Sequence, residues 1–185
     1  MILLLLADGF EETEALVPLD LLRRGKCDVK TVGVTGKTVT GAHGISVTAD
    51  ISPRDARGKI DALILPGGMP GTLNLDGSPD VDRLIEKTLA DGGRLAAICA
   101  APLILGRRGL LKGKRAVCFP GFENELTGAI PSEKRVETDG VITTSVGMGA
   151  AYEFGLALLA LLAGRETAEQ VRRSSLIPEQ IAIPD

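Results

Sequence analysis

Short apolar runs recur along the chain, and each is closed by a polar or glycine-containing turn. Runs that are apolar throughout are typical of strands covered on both faces of a sheet, and alternating runs around a turn are typical of hairpins. We predict hairpins over residues 37–49 and, around Asp139–Gly140, over residues 135–145. The other predicted strands are residues 1–6, 28–34, 62–65, 94–98 and 115–118.

Helical spacing of apolar residues appears between these strands. Ser78 and Pro79 open one such segment with a capping residue followed by proline at the first helical position. The predicted helices are residues 11–24, 78–89, 101–109, 146–164 and 167–173. Strands that alternate with helices predict an α/β fold with a mostly parallel sheet and helices on both faces.

Length and composition narrow the class of protein. With 185 residues the chain suits one domain, residues 1–185, and it has 21 basic and 24 acidic residues, no Trp, one Tyr and four Phe. The lack of a basic run and of stacking aromatics argues against nucleic acid as a partner. The most apolar stretch, residues 146–164, contains Glu153 and several glycines, which favours a buried helix over a membrane span. No basic region precedes the first apolar run, so we expect no signal peptide and a cytoplasmic protein.

The cysteines argue against a metal centre. The chain has an odd number of cysteines, Cys27, Cys99 and Cys118, and no two of them form a CxxC pair. His43 is the single histidine of the sequence. We therefore expect neither a metal site nor a cofactor.

Cys99 is the strongest candidate for chemistry, because it ends a predicted strand and precedes a predicted helix. The free N–H groups of a helix N-terminus favour an anion there, and such placement lowers a thiol pKa from ~8.5 to roughly 3.5–7.5. Ala100 and Ala101 keep the turn small, as in the nucleophile elbow of hydrolases. From this segment alone, an inert buried thiol is equally consistent with the pattern.

Two other strand ends supply complementary groups. Pro66–Gly67–Gly68 exposes backbone N–H groups, as an oxyanion hole requires, although a plain tight turn explains the same residues. Glu14 lies on the first helix, and a carboxylate beside a thiolate is expected to have a raised pKa and to share one proton with it. A protonated Glu14 would donate to the thiolate and serve as general acid or base. Glu11 and Glu12 are expected to be solvated acids of the first turn.

Together these segments resemble a known family. The residues that carry the resemblance are 9–14 with Pro18, Asp20, Arg23 and Arg24; 65–68; 97–102; and Asp139–Gly140 running on to Thr144, Ser145, Glu153 and Phe154. In order and spacing they are similar to the ThiJ/PfpI superfamily, and within it to the clade of the Parkinson-disease-associated protein deglycase and bacterial YajL.

The resemblance implies a flavodoxin-like three-layer sandwich that forms a homodimer. It implies Cys99 as nucleophile and oxidation-sensitive thiol, Glu14 hydrogen-bonded to it, and the N–H groups of Gly68 and Ala100 as oxyanion donors. The activities it implies are glutathione-independent glyoxalase, deglycation of proteins and stress chaperoning. Two classes of function therefore stay open: an enzyme acting on small aldehydes or glycated proteins, and a non-enzymatic sensor or chaperone that works through oxidation of Cys99.

Departures from the superfamily pattern limit the chemistry. Ala100 stands where the protease branch has a histidine, so a Cys–His protease dyad is not expected. Phe119 precedes Pro120 where other members carry a histidine near the site, and we expect Phe119 to line the site with Gly67. Met148, in a Gly–Met–Gly loop, and His43, on the first hairpin, are further candidate lining residues. Cys118 is expected to be structural or, alternatively, a resolving cysteine.

Overall fold

A computed structural model describes residues 1–184. The central sheet has six strands in the order β2-β1-β5-β6-β10-β9. Two small two-stranded sheets, β3-β4 and β7-β8, lie outside it. The strands are β1 Ile2–Leu6, β2 Val29–Gly33, β3 Thr38–Thr40, β4 Ser46–Thr48, β5 Ala62–Leu65, β6 Arg94–Ile98, β7 Arg115–Ala116, β8 Ile130–Pro131, β9 Val136–Asp139 and β10 Ile142–Ser145.

Six helices connect or flank these strands. They are α1 Glu12–Arg24, α2 Gly71–Asp76, α3 Pro79–Ala90, α4 Pro102–Arg107, α5 Ala151–Ala163 and α6 Arg165–Ser174. Over residues 1–184, none of the helices has the length and apolar character needed to cross a bilayer.

Strands β2, β1, β5, β6 and β10 of this sheet run parallel to one another, and the edge strand β9 is antiparallel to its neighbour β10. An order in which the chain moves outward from β1 in both directions is that of flavodoxin-like folds. The predicted fold class, a flavodoxin-like three-layer α/β sandwich with a mostly parallel sheet and a small β-hairpin, is therefore confirmed.

The pleat of β1 explains the three layers. Leu4 and Leu6 face a core completed by α1, α5 and α6, whereas Leu3 and Leu5 face a second core completed by α2, α3 and α4. Successive side chains of a strand point to opposite faces, so a continuously apolar strand is buried on both. All five residues of β1 are buried, as the unbroken apolar run predicted.

The structure corrects several predicted elements. Helix α2 and strand β8 were not predicted, because each is short and neither has a periodic apolar pattern. The predicted strand 115–118 ends after two residues, and helix α5 begins five residues later than predicted because residues 146–150 form a short loop and a 3₁₀ turn. Ser78 occupies the N-cap position of α3, but its side chain makes no capping hydrogen bond.

Candidate active site

Three strand ends meet at one edge of the sheet. Strands β1, β5 and β6 are parallel neighbours, so the loops that follow them emerge side by side. Glu14 lies just beyond the first loop on α1, Gly67 and Gly68 lie in the second, and Cys99 begins the third. The topology therefore brings together the three segments singled out in the sequence.

Cys99 occupies a constrained turn. Its φ is +65°, in the left-handed region that residues other than glycine seldom adopt. Two backbone hydrogen bonds fix this conformation: the Cys99 N–H donates to the Ser145 carbonyl at 2.9 Å, and its carbonyl accepts from the Phe119 N–H at 2.8 Å. The half-buried side chain is thus projected from the strand end in one direction, and backbone strain of this kind is typical of functional sites.

Glu14 is a buried carboxyl, with 1% of the residue exposed. Its Oε2 accepts from the Gly67 N–H at 3.0 Å, and its own N–H donates to Glu11, the N-cap residue of α1, at 2.7 Å. Burial raises the pKa of Glu14 from 4.5 to about 7, although the contacts with the Cys99 side chain and with the Gly67 and Met148 amides lower it in part. At neutral pH this group therefore exists in both protonation states.

The pKa of the Cys99 thiol is raised, as is the pKa of Glu14. Burial, and then the charge of Glu14 and its hydrogen bond, raise the pKa of Cys99 to about 12. The amides of Ala100 and Gly68 reach the thiol and act in the opposite direction, but they do not outweigh burial and the carboxylate. The expectation of a lowered thiol pKa is corrected here: burial of the sulfur, together with the Glu14 carboxyl beside it, outweighs the amides of the turn.

Two glycines leave room for this pair. A Cβ on Gly67 would lie 2.5 Å from Glu14 Oε2 and 2.6 Å from Cys99 Cβ, so any side chain there would displace one of them. A Cβ on Gly147 would lie 3.8 Å from Cys99 Sγ and 3.7 Å from Glu14 Oε1. Gly147 belongs to the loop between β10 and α5, which therefore forms a wall of the site.

The mouth of the site is apolar and partly exposed. Phe119 and Met148 are both exposed, and the Phe119 ring lies 3.3 Å from the position that a Cβ on Gly147 would take. The structure thus brings together seven of the eight residues considered from the sequence: Glu14, Gly67, Gly68, Cys99, Ala100, Phe119 and Met148. Their roles in a reaction follow under Proposed function.

Comparison with known proteins places this site in a family. The model of the DJ-1/PfpI family matches residues 1–161. The chain belongs to the DJ-1/PfpI family. Protein DJ-1 homolog B of Arabidopsis thaliana is 41% identical over 174 residues, which make up 92% of this chain and 40% of that protein. The chain thus spans less than half the length of this relative.

Two further DJ-1/PfpI relatives cover the chain nearly end to end. Glutathione-independent glyoxalase DJR-1.2 of Caenorhabditis elegans is 32% identical over 168 residues, 89% of either protein. The crystal structure of Drosophila melanogaster DJ-1beta superimposes with a TM-score of 0.89 at 34% identity, covering 96% of this chain and 97% of that one.

The eighth residue considered from the sequence, His43, contacts Glu12 in this DJ-1/PfpI member, unlike the seven residues grouped around Cys99. Its Nδ1 lies 2.8 Å from Glu12 Oε2, and its N–H donates to Glu12 Oε1 at 2.8 Å. The expectation of a solvated Glu12 is wrong, because the hairpin turn folds over the start of α1 and leaves this residue 5% exposed. Glu11 also has a structural role, as the N-cap of α1.

The same contacts bear on metal binding. Within residues 1–184, ligand-type atoms of Glu11, Glu12 and His43 lie within 4.8 Å of one another. The hydrogen bond with Glu12 raises the pKa of His43, and this carboxylate and imidazole are hydrogen-bonded to each other. This pairing explains why the three side chains lie together: the hydrogen bonds between Glu12 and His43 join the β3–β4 hairpin to α1, a contact that we call the latch. We assign no metal to the cluster.

Other cysteines differ from Cys99 in their surroundings. Cys118 is buried, and burial raises its pKa to about 11. Cys27 is half-buried against the core on the α1 side of the sheet, and burial raises its pKa as well. The charge of Glu123 also raises the pKa of Cys118, and the Phe122 amide lowers it in part, whereas Cys99 is contacted by the Glu14 carboxyl and by the two amides of Gly68 and Ala100.

Sequence reasoning did not identify Ser145 and Arg135 as site-related residues. Ser145 supplies the carbonyl that fixes the Cys99 backbone, and Arg135 binds the loop that contains Gly147. Ser145 is among the residues that carry the family resemblance, but neither its local pattern nor that of Arg135 shows these contacts, because they join strands that are distant in sequence. The feature of the sequence that pointed to this loop was the Gly–Met–Gly segment after β10.

Proposed function

We propose that this protein is a cysteine-dependent enzyme for reactive carbonyls, of the glutathione-independent glyoxalase or protein deglycase type. The observation that carries the proposal is the Cys99 thiol, which touches a buried carboxyl of pKa about 7 on one side and two backbone amides on the other. Nucleophile, base and oxyanion donors are thus assembled around one sulfur atom.

In the first step, Cys99 Sγ attacks the aldehyde carbon of an α-oxoaldehyde such as methylglyoxal. The thiol proton passes to the ionised Glu14 carboxylate while the sulfur–carbon bond forms. The electron pair of the C=O bond moves to oxygen, and the alkoxide is held by the N–H groups of Gly68 and Ala100. Glu14 then returns its proton to the alkoxide, which gives a hemithioacetal.

In the second step, Glu14 acts again as a base. It removes the proton from the former aldehyde carbon, the electron pair of that C–H bond forms a C=C bond to the adjacent carbon, and the ketone oxygen takes the proton of the hemithioacetal hydroxyl. Glu14 then delivers its proton to the former ketone carbon, while the C=C electron pair forms that C–H bond and the oxygen on the sulfur-bearing carbon becomes the thioester carbonyl. The result is a thioester of lactate on Cys99, which water cleaves to lactate and the free thiol. The sum is one aldehyde plus one water giving one hydroxy acid, and no external oxidant or reductant takes part.

The class of substrate follows from the mouth of the site. The exposed Phe119 and Met148 offer apolar contacts, and no basic side chain among the seven site residues would select an anionic substrate. A relative named as a glutathione-independent glyoxalase, matched over 89% of its length, supports the same class. In an early adduct of an α-oxoaldehyde, the former aldehyde carbon is bonded to a side-chain thiol or amine; when that group leaves, the free aldehyde carbon is open to attack by Cys99, so such protein adducts belong to the substrate class proposed here.

Consumption of methylglyoxal in the absence of glutathione tests the proposal. The wild-type protein is expected to form lactate, and Cys99→Ser is expected to form none, while Cys118→Ser serves as the matched control and retains activity. Lactate formation by Cys99→Ser at the wild-type rate, or none by the wild type, would show that this carbonyl chemistry is not the function.

A second candidate function is sensing of peroxide. Glu14, protonated below its pKa of about 7, can donate a hydrogen bond to an oxidised Cys99. Two equivalents of hydrogen peroxide convert the thiol to sulfenic and then sulfinic acid, with one water released at each stage. Peptide mass spectrometry after limited peroxide should find Cys99 oxidised before Cys27 and Cys118; the reverse order would exclude this role.

We also propose that the protein acts as a cytoplasmic homodimer. A groove between α1 and the segment after α6 has an apolar part formed by Leu16, Val17, Tyr152 and Leu176, of which Tyr152 and Leu176 are exposed. Its remaining lining includes the charged pair Asp20 and Arg24. Apolar residues grouped in this way are typical of protein interfaces, and a second copy would cover them. The three cysteines are free, which suits a compartment that keeps thiols reduced.

A further inference from the structure

Arg135, which lies between β8 and β9 and is more than half exposed, makes an unusual set of contacts. Its backbone carbonyl accepts from Ser145 Oγ at 3.0 Å and from the Val146 N–H at 3.1 Å. Its guanidinium donates to the Gly149 carbonyl and, through Nε, to Glu153 Oε1 at 2.7 Å. One arginine therefore holds both ends of residues 145–149, which we call the site loop.

The site loop touches the reactive pair at three points. At its start, the Ser145 carbonyl accepts the Cys99 N–H at 2.9 Å and so helps to hold the left-handed turn of Cys99. In its middle, Gly147 lies beside both Cys99 Sγ and Glu14 Oε1. One residue further on, the Met148 amide interacts with the Glu14 carboxyl. Movement of the loop would therefore alter the thiol and its base together.

We propose that Arg135, with Glu153 as its partner, is a positioning residue that sets the distance between the site loop and the Cys99–Glu14 pair. This inference rests on the proposed function for its kinetic consequence, although the geometry of the loop stands by itself.

The chemistry of arginine suits this task. A guanidinium is planar and offers several N–H donors in a fixed fork, so it can bind the Glu153 carboxylate and the Gly149 carbonyl at once. Lysine could keep the charge pair with Glu153 but has no second rigid arm for the carbonyl. Since the Arg135 side chain is largely outside the core, its replacement leaves both cores intact.

Two measurements on the full-length protein test the proposal. The first is a ¹³C NMR titration of the Glu14 carboxyl, assigned with Glu14→Gln, which does not depend on turnover. In Arg135→Gln the midpoint is expected to rise by several tenths of a pH unit, since the Met148 amide lowers the pKa of Glu14. The second is methylglyoxal turnover, where kcat is expected to fall by about 10- to 100-fold with KM little changed, because the reacting groups are misplaced rather than lost.

The matched control is Arg83→Gln. The Arg83 side chain also joins a carboxylate, Asp80, to a backbone carbonyl, that of Pro53, but it does so on α3, which contributes no residue to the site. Neither measurement should change in this variant. Arg135→Lys is expected to lie between the wild type and Arg135→Gln, and Glu153→Gln should shift both measurements in the same direction as Arg135→Gln.

An Arg135→Gln protein with the titration midpoint of Arg83→Gln would overturn the proposal. If Arg135→Gln does not fold, Arg135→Lys replaces it, and a wild-type midpoint in that variant is equally contradictory. If the wild type consumes no methylglyoxal while the midpoint still shifts in Arg135→Gln, the positioning role stands and the proposed carbonyl chemistry fails.

Discussion

At the scale of single residues, Glu14 is the group on which the proposed chemistry depends. Burial keeps its pKa near the pH of the cell, whereas a solvated glutamate would be fully ionised there. A carboxyl that is poised between its two states can accept a proton from Cys99 and return it within one reaction. The same burial carries a cost in stability, so the two effects can be separated by experiment.

The first prediction concerns turnover. Glu14→Gln removes the base but keeps a side chain of similar size, so methylglyoxal consumption should fall by about 10²–10⁴-fold. The pKa of Cys99 should fall as well, because the charge and the hydrogen bond of Glu14 both raise it. Alkylation of Cys99 by iodoacetamide, followed by mass spectrometry across pH 6–10, measures the second effect. Unchanged turnover together with an unchanged alkylation profile would contradict the assignment of Glu14.

The second prediction concerns the pH dependence of wild-type turnover. If the ionised Glu14 is the form that takes the thiol proton, kcat should rise with pH through about 7, the pKa of that group. A plateau is expected above this pH, since the base is then fully ionised. Steady-state rates between pH 5 and 9 provide the measurement. A rate that falls over the same range would assign the acid form of Glu14 to the first step instead.

The third prediction concerns stability. Because the pKa of Glu14 is raised on folding, the native protein binds more protons than the unfolded chain between pH 4.5 and about 7, and stability falls as pH rises through that window. The penalty is up to about 3 kcal/mol above pH 7. Urea unfolding should therefore find Glu14→Gln more stable than the wild type at pH 8 and similar at pH 4. Equal stability of the two proteins at pH 8 would contradict the burial argument.

At the scale of elements, the ends of β5 and β6 are held close by a glycine. Residues beyond two parallel neighbours must pass each other at the edge of the sheet, and a Cβ at Gly67 would collide with both Glu14 and Cys99. The fourth prediction is that Gly67→Ala reduces turnover at least as strongly as Glu14→Gln, because it displaces the carboxyl. Gly36→Ala is the control, since its Cβ would meet its nearest atom at an ordinary 3.6 Å. Wild-type rates in Gly67→Ala would contradict the observed packing.

Elements outside the site also constrain it. The turn between β3 and β4 folds over the start of α1, and Glu12 accepts hydrogen bonds from the backbone and ring of His43. This latch fixes the N-terminal end of α1, the helix that carries Glu14 two residues after Glu12. A helix anchored at its first turn can hold a buried carboxyl in one position, which proton transfer over about 3 Å requires.

At the scale of the whole molecule, the groove lined by Leu16, Val17, Tyr152 and Leu176 leads to the fifth prediction. Tyr152→Glu places a charge in this groove and should shift the protein from dimer to monomer in sedimentation equilibrium. Leu73→Glu changes an equally exposed apolar residue on α2, outside the groove, and should leave the dimer intact. A wild type that sediments as a 19.3 kDa species at micromolar concentration would contradict dimerisation.

The sequence by itself determined the fold class and the identity of the central residues. Apolar runs reveal strands that are buried on both faces, as in β1, because burial is the property that such runs record. Cys99 and the glycines before α2 could be found for a related reason: a strand end followed at once by a helix leaves few residues for the turn, so unusual residue types are visible there. Short elements such as α2 and β8 escaped prediction because they have no period to detect.

Only the tertiary structure decided the electrostatics of the site. The raised pKa of Cys99, the burial of Glu12 and the clamp made by Arg135 each depend on contacts between residues 14 to 85 positions apart or on solvent exclusion by the whole fold. The sequence names the groups that can ionise or donate, but the free energy of a charge is set by the atoms that replace water around it. For this reason a thiol expected to be acidic from its turn alone is, within the folded protein, a weak acid.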